Sequence, residues 1–219
     1  MKLDLISSIF HRCTMSNDRV PNEERRTAST QAVMTAARTL FVTHGYEYTS
    51  MAQIAKAAGL TKGTIYFYFK DKAELLFRLL TEAEAASFGP ISQAIHSSQA
   101  SAKERLILFI NAVARLGIDH REQLLLPVLM AVEFSSSSLP AAAMVRAIYT
   151  RWTSMLEQLI TDGQATGEFK ESLDPANTAI TLVALVDGLL LQWHRLHDDL
   201  DGPHLATTAR EFVLSAVLK

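Results

Sequence analysis

The sequence predicts an all-α protein in which an N-terminal three-helix domain with a helix-turn-helix is joined to a larger helical C-terminal domain. Apolar residues recur at the three- and four-residue spacing of buried helix faces along most of the 219-residue chain. No run shows the sustained two-residue alternation of a half-buried strand. The content of 48% hydrophobic and 20% charged residues is that of a globular protein with a core.

Three helices are expected in the first part of the chain, over 24–44, 50–58 and 61–68. Gly45 can end the first helix in a left-handed conformation, and Gly59 can end the second. Thr49 or Ser50 can cap the second helix and Thr61 can cap the third, because their hydroxyls accept hydrogen bonds from the free N–H groups of a first turn. Two short helices joined by a tight turn are therefore expected after the long first helix.

The region after these helices continues with amphipathic helices, expected over 72–88, 102–118, 123–134, 140–161, 175–197 and 203–217. Gly89-Pro90 breaks or kinks the first of these, Pro127 bends the third, and the serine tract 135–138 forms a loop. The helix over 175–197 is apolar nearly all round, which predicts that other structure covers it on both sides. The expected domains are a DNA-binding domain of residues 23–69 and a C-terminal domain of residues 70–219.

Residues 1–22 are expected to form a flexible tail. Met15 is a plausible alternative start, which would make the first fourteen residues an artefact, and a short amphipathic helix is the other interpretation. Cys13 is the one cysteine, so no intramolecular disulfide can form, which fits a reducing compartment. Neither a signal peptide nor a membrane span is expected, since Asp187 interrupts the most apolar stretch. These features favour a cytoplasmic protein.

The charges are unevenly distributed along the chain. Residues 22–72 contain seven cations and four anions, whereas residues 73–219 contain 11 cations and 17 anions. A basic N-terminal part on an acidic body suits a domain that meets phosphate, although many enzymes have a similar imbalance.

The segment TKGTIYFYFKDK, residues 61–72, places four consecutive aromatic residues among three lysines. It begins after the tight turn at Gly59, where the second helix of a helix-turn-helix would enter the DNA major groove. Ile65 and Phe69 share one helix face and are expected in the core, whereas Tyr66 can face outward and Phe67 stays unassigned. The candidate DNA contacts from this segment are Thr61, Lys62, Gly63, Thr64, Tyr66, Tyr68 and Lys72. For each tyrosine, a half-buried ring with a wet hydroxyl is the structural alternative.

The segment TSMAQIAKAAGLTKGTIYFYFKDKAELL, residues 49–76, resembles the DNA-binding domain of the TetR family of bacterial repressors. The residues that fill the family pattern are Ile54, Ala55, Ala58, Gly59, Gly63, Thr64, Tyr66, Phe69, Lys72, Leu75 and Leu76. Tyr68 stands where the family often has histidine. The resemblance implies that Lys62, Thr64 and Tyr66 contact bases or phosphates. It also implies phosphate contacts from Thr49, Tyr68 and Lys72.

The segment over 163–193, ending in LVALVDGLLLQW, resembles family C-terminal domains. There the last two helices of each subunit form a four-helix dimer interface. The resemblance implies a homodimer that binds a palindromic double-stranded DNA operator and responds to a small-molecule inducer in the C-terminal domain. A monomer with a thick core is the alternative, but two DNA half-sites need two DNA-binding domains.

The C-terminal helices also contain candidate residues for a ligand pocket. The apolar candidates are Phe109, Val113, Met130, Phe134, Ile148 and Trp152, all of which are compatible with ordinary core positions. Glu133 and Asp187 are more specific candidates, because each lies in an apolar run of the sequence. Burying a carboxylate without a partner costs folding free energy, so each should have a partner. That partner could be an arginine at 115, 146 or 151, a helix N-terminus or a cationic ligand.

An enzyme or a metal-binding bundle with a vestigial DNA-binding domain is the alternative to a regulator. His194, His197, Asp198 and His204 could suggest a metal site, but no repeated Glu-x-x-His pattern accompanies them. No phosphate-binding glycine loop or nucleophile motif occurs, so no catalytic residue, cofactor or metal is predicted. An activator or a ligand-independent regulator stays open as a third interpretation.

Overall fold

The computed structural model describes residues 22–135, 140–196 and 200–219, which contain ten α-helices and one isolated antiparallel bridge between Phe169 and Leu218. The helices are α1 (Asn22–His44), α2 (Met51–Ala57), α3 (Lys62–Tyr68), α4 (Lys72–Ala86), α5 (Phe88–Ser97), α6 (Ala102–Asp119), α7 (Arg121–Glu133), α8 (Pro140–Ala165), α9 (Pro175–Leu196) and α10 (Gly202–Val217). The all-helical prediction is confirmed for these residues. The predictions for the tail, for most of the serine tract and for residues 197–199 lie outside them.

The turns between α1, α2 and α3 have the predicted chemistry. Gly45 and Gly59 adopt positive φ values of 85° and 71°, which L side chains rarely tolerate. Ser50, rather than Thr49, caps α2 in a reciprocal capping box with Gln53. Thr61 caps α3 by accepting a hydrogen bond from the Thr64 N–H at 3.2 Å. These local signals fix the angle at which α3 leaves α2.

The core of the N-terminal domain contains Phe41, Ile54, Ile65 and Phe69, all fully or almost fully buried. The assignment of Ile65 and Phe69 to the core is therefore confirmed. The same apolar cluster continues into α4, α7 and α8. The hydrophobic contacts thus run without interruption across the predicted domain boundary after residue 69, and the boundary itself stays a prediction.

Helix α4 connects the two regions and ends earlier than its sequence suggests. Asp71 caps it, as expected, and its last helical residue is Ala86. The break comes at Ser87, two residues before the predicted glycine and proline. Pro90 instead lies in the first turn of α5, where its missing N–H costs no helix hydrogen bond.

Helix α8 is longer than predicted, because Gly163 lies inside it and does not end it. A Cβ on this glycine would overlap the Phe169 ring, which is completely buried. Gly163 therefore permits the chain after α8 to fold back closely. Gly167, with φ of 77°, makes the turn that follows.

Helix α9 begins where predicted, with the Asp174 carboxylate accepting a hydrogen bond from the Asn177 N–H at 2.8 Å. Its outer face is open, and only 17% of its most apolar window is buried in the single chain. By length and composition α9 could cross a membrane, which departs from the expectation that no segment comes close. Its other face packs into the interior through Ala179, Leu182 and Leu190.

Candidate nucleic-acid interface and interior cavity

Helix α3 presents its predicted contact residues on the surface of the N-terminal domain. Thr61, Lys62 and Gly63 are exposed, Thr64 is half-buried, and 48% of Tyr66 is exposed. Tyr68 is half-buried beside Phe67, with their rings edge to face at 5.5 Å. Lys62 and Tyr66 are four residues apart and share one accessible side of α3, which could enter a major groove. Thr64 lies on another side of the helix, where its hydroxyl is 2.7 Å from the Thr61 hydroxyl.

Thr49 and Lys72 have other partners. Thr49 is only 2% exposed, and its hydroxyl donates to the Gly45 carbonyl at 2.7 Å. The Lys72 ammonium donates to the Tyr46 carbonyl at 2.6 Å and lies 4.1 Å from the Tyr46 ring centroid. Both side chains thus hold the turn between α1 and α2, a role that the motif alone does not reveal. The Thr49 hydroxyl proton is therefore engaged in the turn, whereas the Lys72 ammonium keeps at least one of its three donors, and both phosphate contacts stay predictions.

Two exposed aromatic residues near α3 were not assigned from the sequence. Phe67 is 73% exposed on α3, with the Arg26 guanidinium 5.9 Å from its ring centroid. Tyr48 is 85% exposed just before α2. Phe67 belongs to the run of four aromatic residues noted in the sequence. The sequence analysis did not assign it to the exposed or to the buried face of α3.

Glu133 is bonded to the N-terminal domain, and its ligand-binding role stays a prediction. Its two carboxylate oxygens accept hydrogen bonds from the backbone N–H groups of Tyr46 and Glu47, at 2.9 and 2.7 Å. The carboxylate at the end of α7 is therefore bonded to the turn that precedes α2. The observed partner of this carboxylate is a pair of backbone amides in the turn and none of the three arginines proposed from the sequence.

Met130 and Phe134 also belong to the core and not to a cavity. Met130 is fully buried, and the Phe134 ring contacts the Tyr46 ring edge to face at 5.3 Å. Both residues belong to the apolar cluster that α7 shares with the N-terminal domain, and their ligand-binding roles stay predictions. The apolar pattern correctly predicted that these α7 residues are buried. The pattern does not show whether a buried side chain faces a cavity or packs against another helix.

The remaining ligand candidates surround one cavity, called here the α4–α9 cavity, of about 60 Å³. Its described lining comprises Ala83, Glu84, Ser87, Phe109, Val113, Leu124, Pro127, Val128, Ile148, Tyr149, Trp152, Val183, Val186, Asp187 and Leu190. Phe109, Val113, Ile148, Trp152 and Asp187 are thus together, as the sequence suggested. Tyr149 was missed, although it lies three residues before Trp152 on the same helix.

Asp187 and Tyr149 form the polar centre of this cavity. Burial raises the pKa of the Asp187 carboxyl to about 6, and the hydrogen bond shared with the Tyr149 hydroxyl opposes that rise. Burial, and then the charge of Asp187, raise the pKa of Tyr149 well above its ordinary value. Asp187 therefore has a tyrosine as its partner and none of the three predicted arginines.

A second cavity of about 80 Å³ lies between α6, α9 and α10 and is almost wholly apolar. It shares Phe109, Val113, Val186 and Leu190 with the α4–α9 cavity. Trp193 also lines it, against Gly117 and Gly202. Within the described residues, no group of three or more potential metal ligands occurs. Two members of the suggested histidine cluster, His197 and Asp198, lie outside those residues.

Comparison with known proteins identifies both regions. Residues 33–79 match the model described as bacterial regulatory proteins of the tetR family, and residues 103–218 match the BetI-type transcriptional repressor C-terminal model. The MbdR regulator from Azoarcus sp. CIB has a similar structure, with 34% identity, a TM-score of 0.81, and coverage of 87% of this chain and 100% of that one.

Two further comparisons concern a regulator from Bacillus subtilis. The fatty acid metabolism regulator protein of strain 168 is 27% identical over 186 residues, covering 84% of this chain and 93% of its own. The structure of FadR from B. subtilis, in complex with stearoyl-CoA, is 27% identical with a TM-score of 0.67, over 84% and 97% of the two chains.

The fold and the helix pair define a DNA-binding transcriptional regulator of the repressor class, whose relatives are regulators rather than enzymes. The chain belongs to the TetR family. The predicted family, helix-turn-helix and regulatory function are thereby confirmed.

Replacing Glu133 with glutamine should loosen the turn before α2. Glutamine retains one acceptor oxygen, so one of the two turn amides loses its partner. Amide hydrogen exchange over residues 45–49 should become several-fold faster, while exchange in α8 stays unchanged. E122Q is the matched control on the same helix, because Glu122 accepts from the Thr39 hydroxyl and does not contact the turn. Equal exchange in E133Q and wild type would contradict this role.

Replacing Asp187 with asparagine should alter the pH dependence of stability. The folded carboxyl has a pKa of about 6 against 3.8 for an unperturbed one, so the folded state binds the proton more tightly. Ionisation of Asp187 therefore destabilises the fold progressively as pH rises from about 4 to 6. The free energy of unfolding of D187N relative to wild type should increase by about 1 kcal/mol between pH 5 and pH 8.

Urea unfolding at the two pH values measures this difference. The control is E157Q, which changes an exposed carboxylate on α8 and should behave as wild type does at both pH values. A pH-independent difference between D187N and wild type would show that the Asp187 carboxyl is not perturbed.

Proposed function

We propose that this protein is a cytoplasmic, homodimeric repressor that binds a palindromic operator and is released by a small-molecule effector in the α4–α9 cavity. The observation that supports it most directly is the position of Glu133, which connects a helix that lines the cavity to the DNA-binding domain. A cavity for the effector, a helix-turn-helix for DNA and hydrogen bonds that connect the two regions are what ligand-controlled DNA binding requires.

DNA recognition by this proposal centres on the exposed surface of α3. Lys62 and Thr64 can hydrogen-bond base edges, and the Tyr66 hydroxyl can reach a phosphate. Phe67 adds an exposed apolar group that suits a thymine methyl. The excess of cations over anions in residues 22–72 supports attraction to the DNA backbone.

Dimerisation is proposed through the outer faces of α9 and α10. Ile180 is 56% exposed on α9 and Phe212 is 65% exposed on α10, while Ala184 and Gly188 form a small-residue stretch between α9 turns. Within one chain, no heavy atom outside α9's own backbone and the neighbouring residues lies within 4 Å of a Cβ built on Gly188, so no other helix crosses α9 closely at this glycine. A second subunit would cover this apolar surface and explain why α9 lacks a polar face.

Effector binding has to enlarge the α4–α9 cavity. A volume of about 60 Å³ is far below the roughly 300–1,000 Å³ of a cavity for a drug-sized ligand. Its walls include Ala83 and Glu84 of α4 and Leu124, Pro127 and Val128 of α7, and the proline removes one backbone hydrogen bond from α7. Helices α4 and α7 therefore both line the cavity and contact the DNA-binding domain.

Three contacts transmit that movement. Glu133 of α7 holds the turn before α2, Glu122 of α7 accepts from Thr39 of α1, and Glu82 of α4 pairs with Arg38 of α1 at 2.8 Å. When α4 and α7 separate, the two α3 helices of a dimer change their spacing and no longer match the half-sites. The change in operator affinity equals the effector's preference for the open state.

Substitutions on α3 should weaken DNA binding without unfolding the protein. The operator is first isolated by retaining sheared genomic DNA from the source organism on purified protein and sequencing it, which should yield sites that share one inverted repeat. K62A should then bind about 5- to 100-fold more weakly, as expected for loss of 1–3 kcal/mol, and Y66F should lose less. K103A, an exposed lysine on α6, is the control.

The salt dependence separates base from phosphate contacts. Wild-type affinity should fall steeply between 50 and 200 mM salt, and K62A should lower the log–log slope by about one if Lys62 binds a phosphate. A flat salt profile would contradict the proposed electrostatic interface. Retention of no common sequence by ligand-free, refolded protein would contradict operator binding itself.

A charge in the middle of the proposed dimer face should separate the subunits. A184E places a carboxylate on the outer face of α9, where the partner's apolar surface would bury it. Sedimentation of the variant should give a monomer that binds the operator at least tenfold more weakly than wild type. A143E, an exposed alanine on α8, should stay dimeric. A dimeric A184E would place the interface elsewhere.

A further inference from the structure

The ionisable groups that line the α4–α9 cavity are acidic or neutral. Among its described lining residues these groups are Glu84, Tyr149 and Asp187, with no lysine, arginine or histidine. Glu84 forms an ion pair with Arg151 of α8. Asp187 is bonded to the neutral Tyr149 hydroxyl instead. Of the two cavity carboxylates, Asp187 is thus the one without a cationic partner in the part of the chain that the structure describes.

Asp187 has unused capacity to accept hydrogen bonds. A carboxylate has about four acceptor sites, and the Tyr149 hydroxyl fills one of them. An ionised carboxylate in an apolar cavity is costly unless a cation and further donors accompany it. Among the other lining residues, Val183, Val186 and Leu190 cannot donate, and the Ser87 hydroxyl already donates to the Ala83 carbonyl at 2.6 Å. A donor from outside the chain would remove this deficit.

Aromatic rings surround the same space. Phe109, Tyr149 and Trp152 line the cavity, and the Trp152 ring is braced edge to face by Phe88 at 5.0 Å and by Phe109 at 5.9 Å. Aromatic faces attract ammonium groups, most strongly where water is excluded. A buried carboxylate beside an indole ring is therefore a combination suited to an organic cation.

We propose that the effector is an organic cation whose ammonium group pairs with Asp187 while its aromatic or alkyl body packs against Trp152 and Phe109. This inference rests on the proposed function, since it assigns a chemical class to the effector of the same cavity. A ligand with a free carboxylate would instead place a negative charge beside Asp187 and Glu84, with no lining cation to offset it.

Three probes of matched shape test the charge preference: 4-phenylbutylammonium, 4-phenylbutan-1-ol and 5-phenylpentanoate. Quenching of tryptophan fluorescence excited at 295 nm reports binding near Trp152 or Trp193, and calorimetry gives the affinity. The ammonium probe should bind at least tenfold more tightly than the carboxylate probe. It should also release the full-length protein from the operator fragments isolated from genomic DNA.

Variants assign the preference to Asp187. D187N keeps the shape of the side chain and should weaken the ammonium probe at least tenfold while changing the alcohol less than threefold. Y149F leaves the carboxylate in place and should retain the ammonium preference, and E157Q on the same helix should match wild type. Circular dichroism melting shows that each variant is folded before its affinity is compared.

Several outcomes would overturn the inference. It fails if the carboxylate or the alcohol binds as tightly as the ammonium probe, if D187N leaves the ammonium affinity unchanged, or if none of the three probes binds. Stearoyl-CoA is included as a separate arm, because the B. subtilis relative was crystallised with it. If stearoyl-CoA alone releases DNA, the cation inference fails and the proposed ligand-controlled repressor stands. If no compound affects DNA binding, ligand control itself is in doubt.

Discussion

The continuous contact between α7 and the DNA-binding domain is the constraint on which the other features depend. Met130 and Phe134 fill the apolar interior there, and the Glu133 carboxylate at the end of α7 accepts from both amides of the adjoining turn. The turn leads into α2, and α2 packs against α3, so these contacts connect α7 to α3 through the core of the DNA-binding domain. The same helix lines the cavity through Leu124, Pro127 and Val128.

The small size of the cavity has a direct consequence for effector binding. An interior packed to the density of other proteins has no room for an effector, so binding is possible only with a change in helix spacing. That requirement makes binding and conformational change one event, and the effector's binding free energy is then divided between contacts and displacement. Asp187 adds a local bias to the same equilibrium, because burial in the closed cavity disfavours its ionised form.

Sequence reasoning was most accurate where the signal is local. Capping side chains, positive-φ glycines and the three-to-four spacing of apolar residues gave most helix bounds to within a few residues. Sequence reasoning was less accurate for residues whose role depends on a contact with a residue far away in the chain. The helix expected over 140–161 continues as α8 through Gly163, because this glycine leaves room for the Phe169 ring. Thr49 and Lys72 fit a phosphate-contact motif, yet both side chains also donate hydrogen bonds to backbone carbonyls of the turn between α1 and α2.

The sequence by itself determined the helical fold, the helix-turn-helix, the core positions of Ile65 and Phe69, and the presence of two unusual carboxylates in apolar runs. Only the tertiary structure decided what those carboxylates do. Glu133 and Asp187 have the same local signature, but one meets two backbone amides 86 or more residues away and the other meets Tyr149 across a cavity. The partner of a buried charge is set by which helices pack together, and residue spacing along one helix does not contain that information.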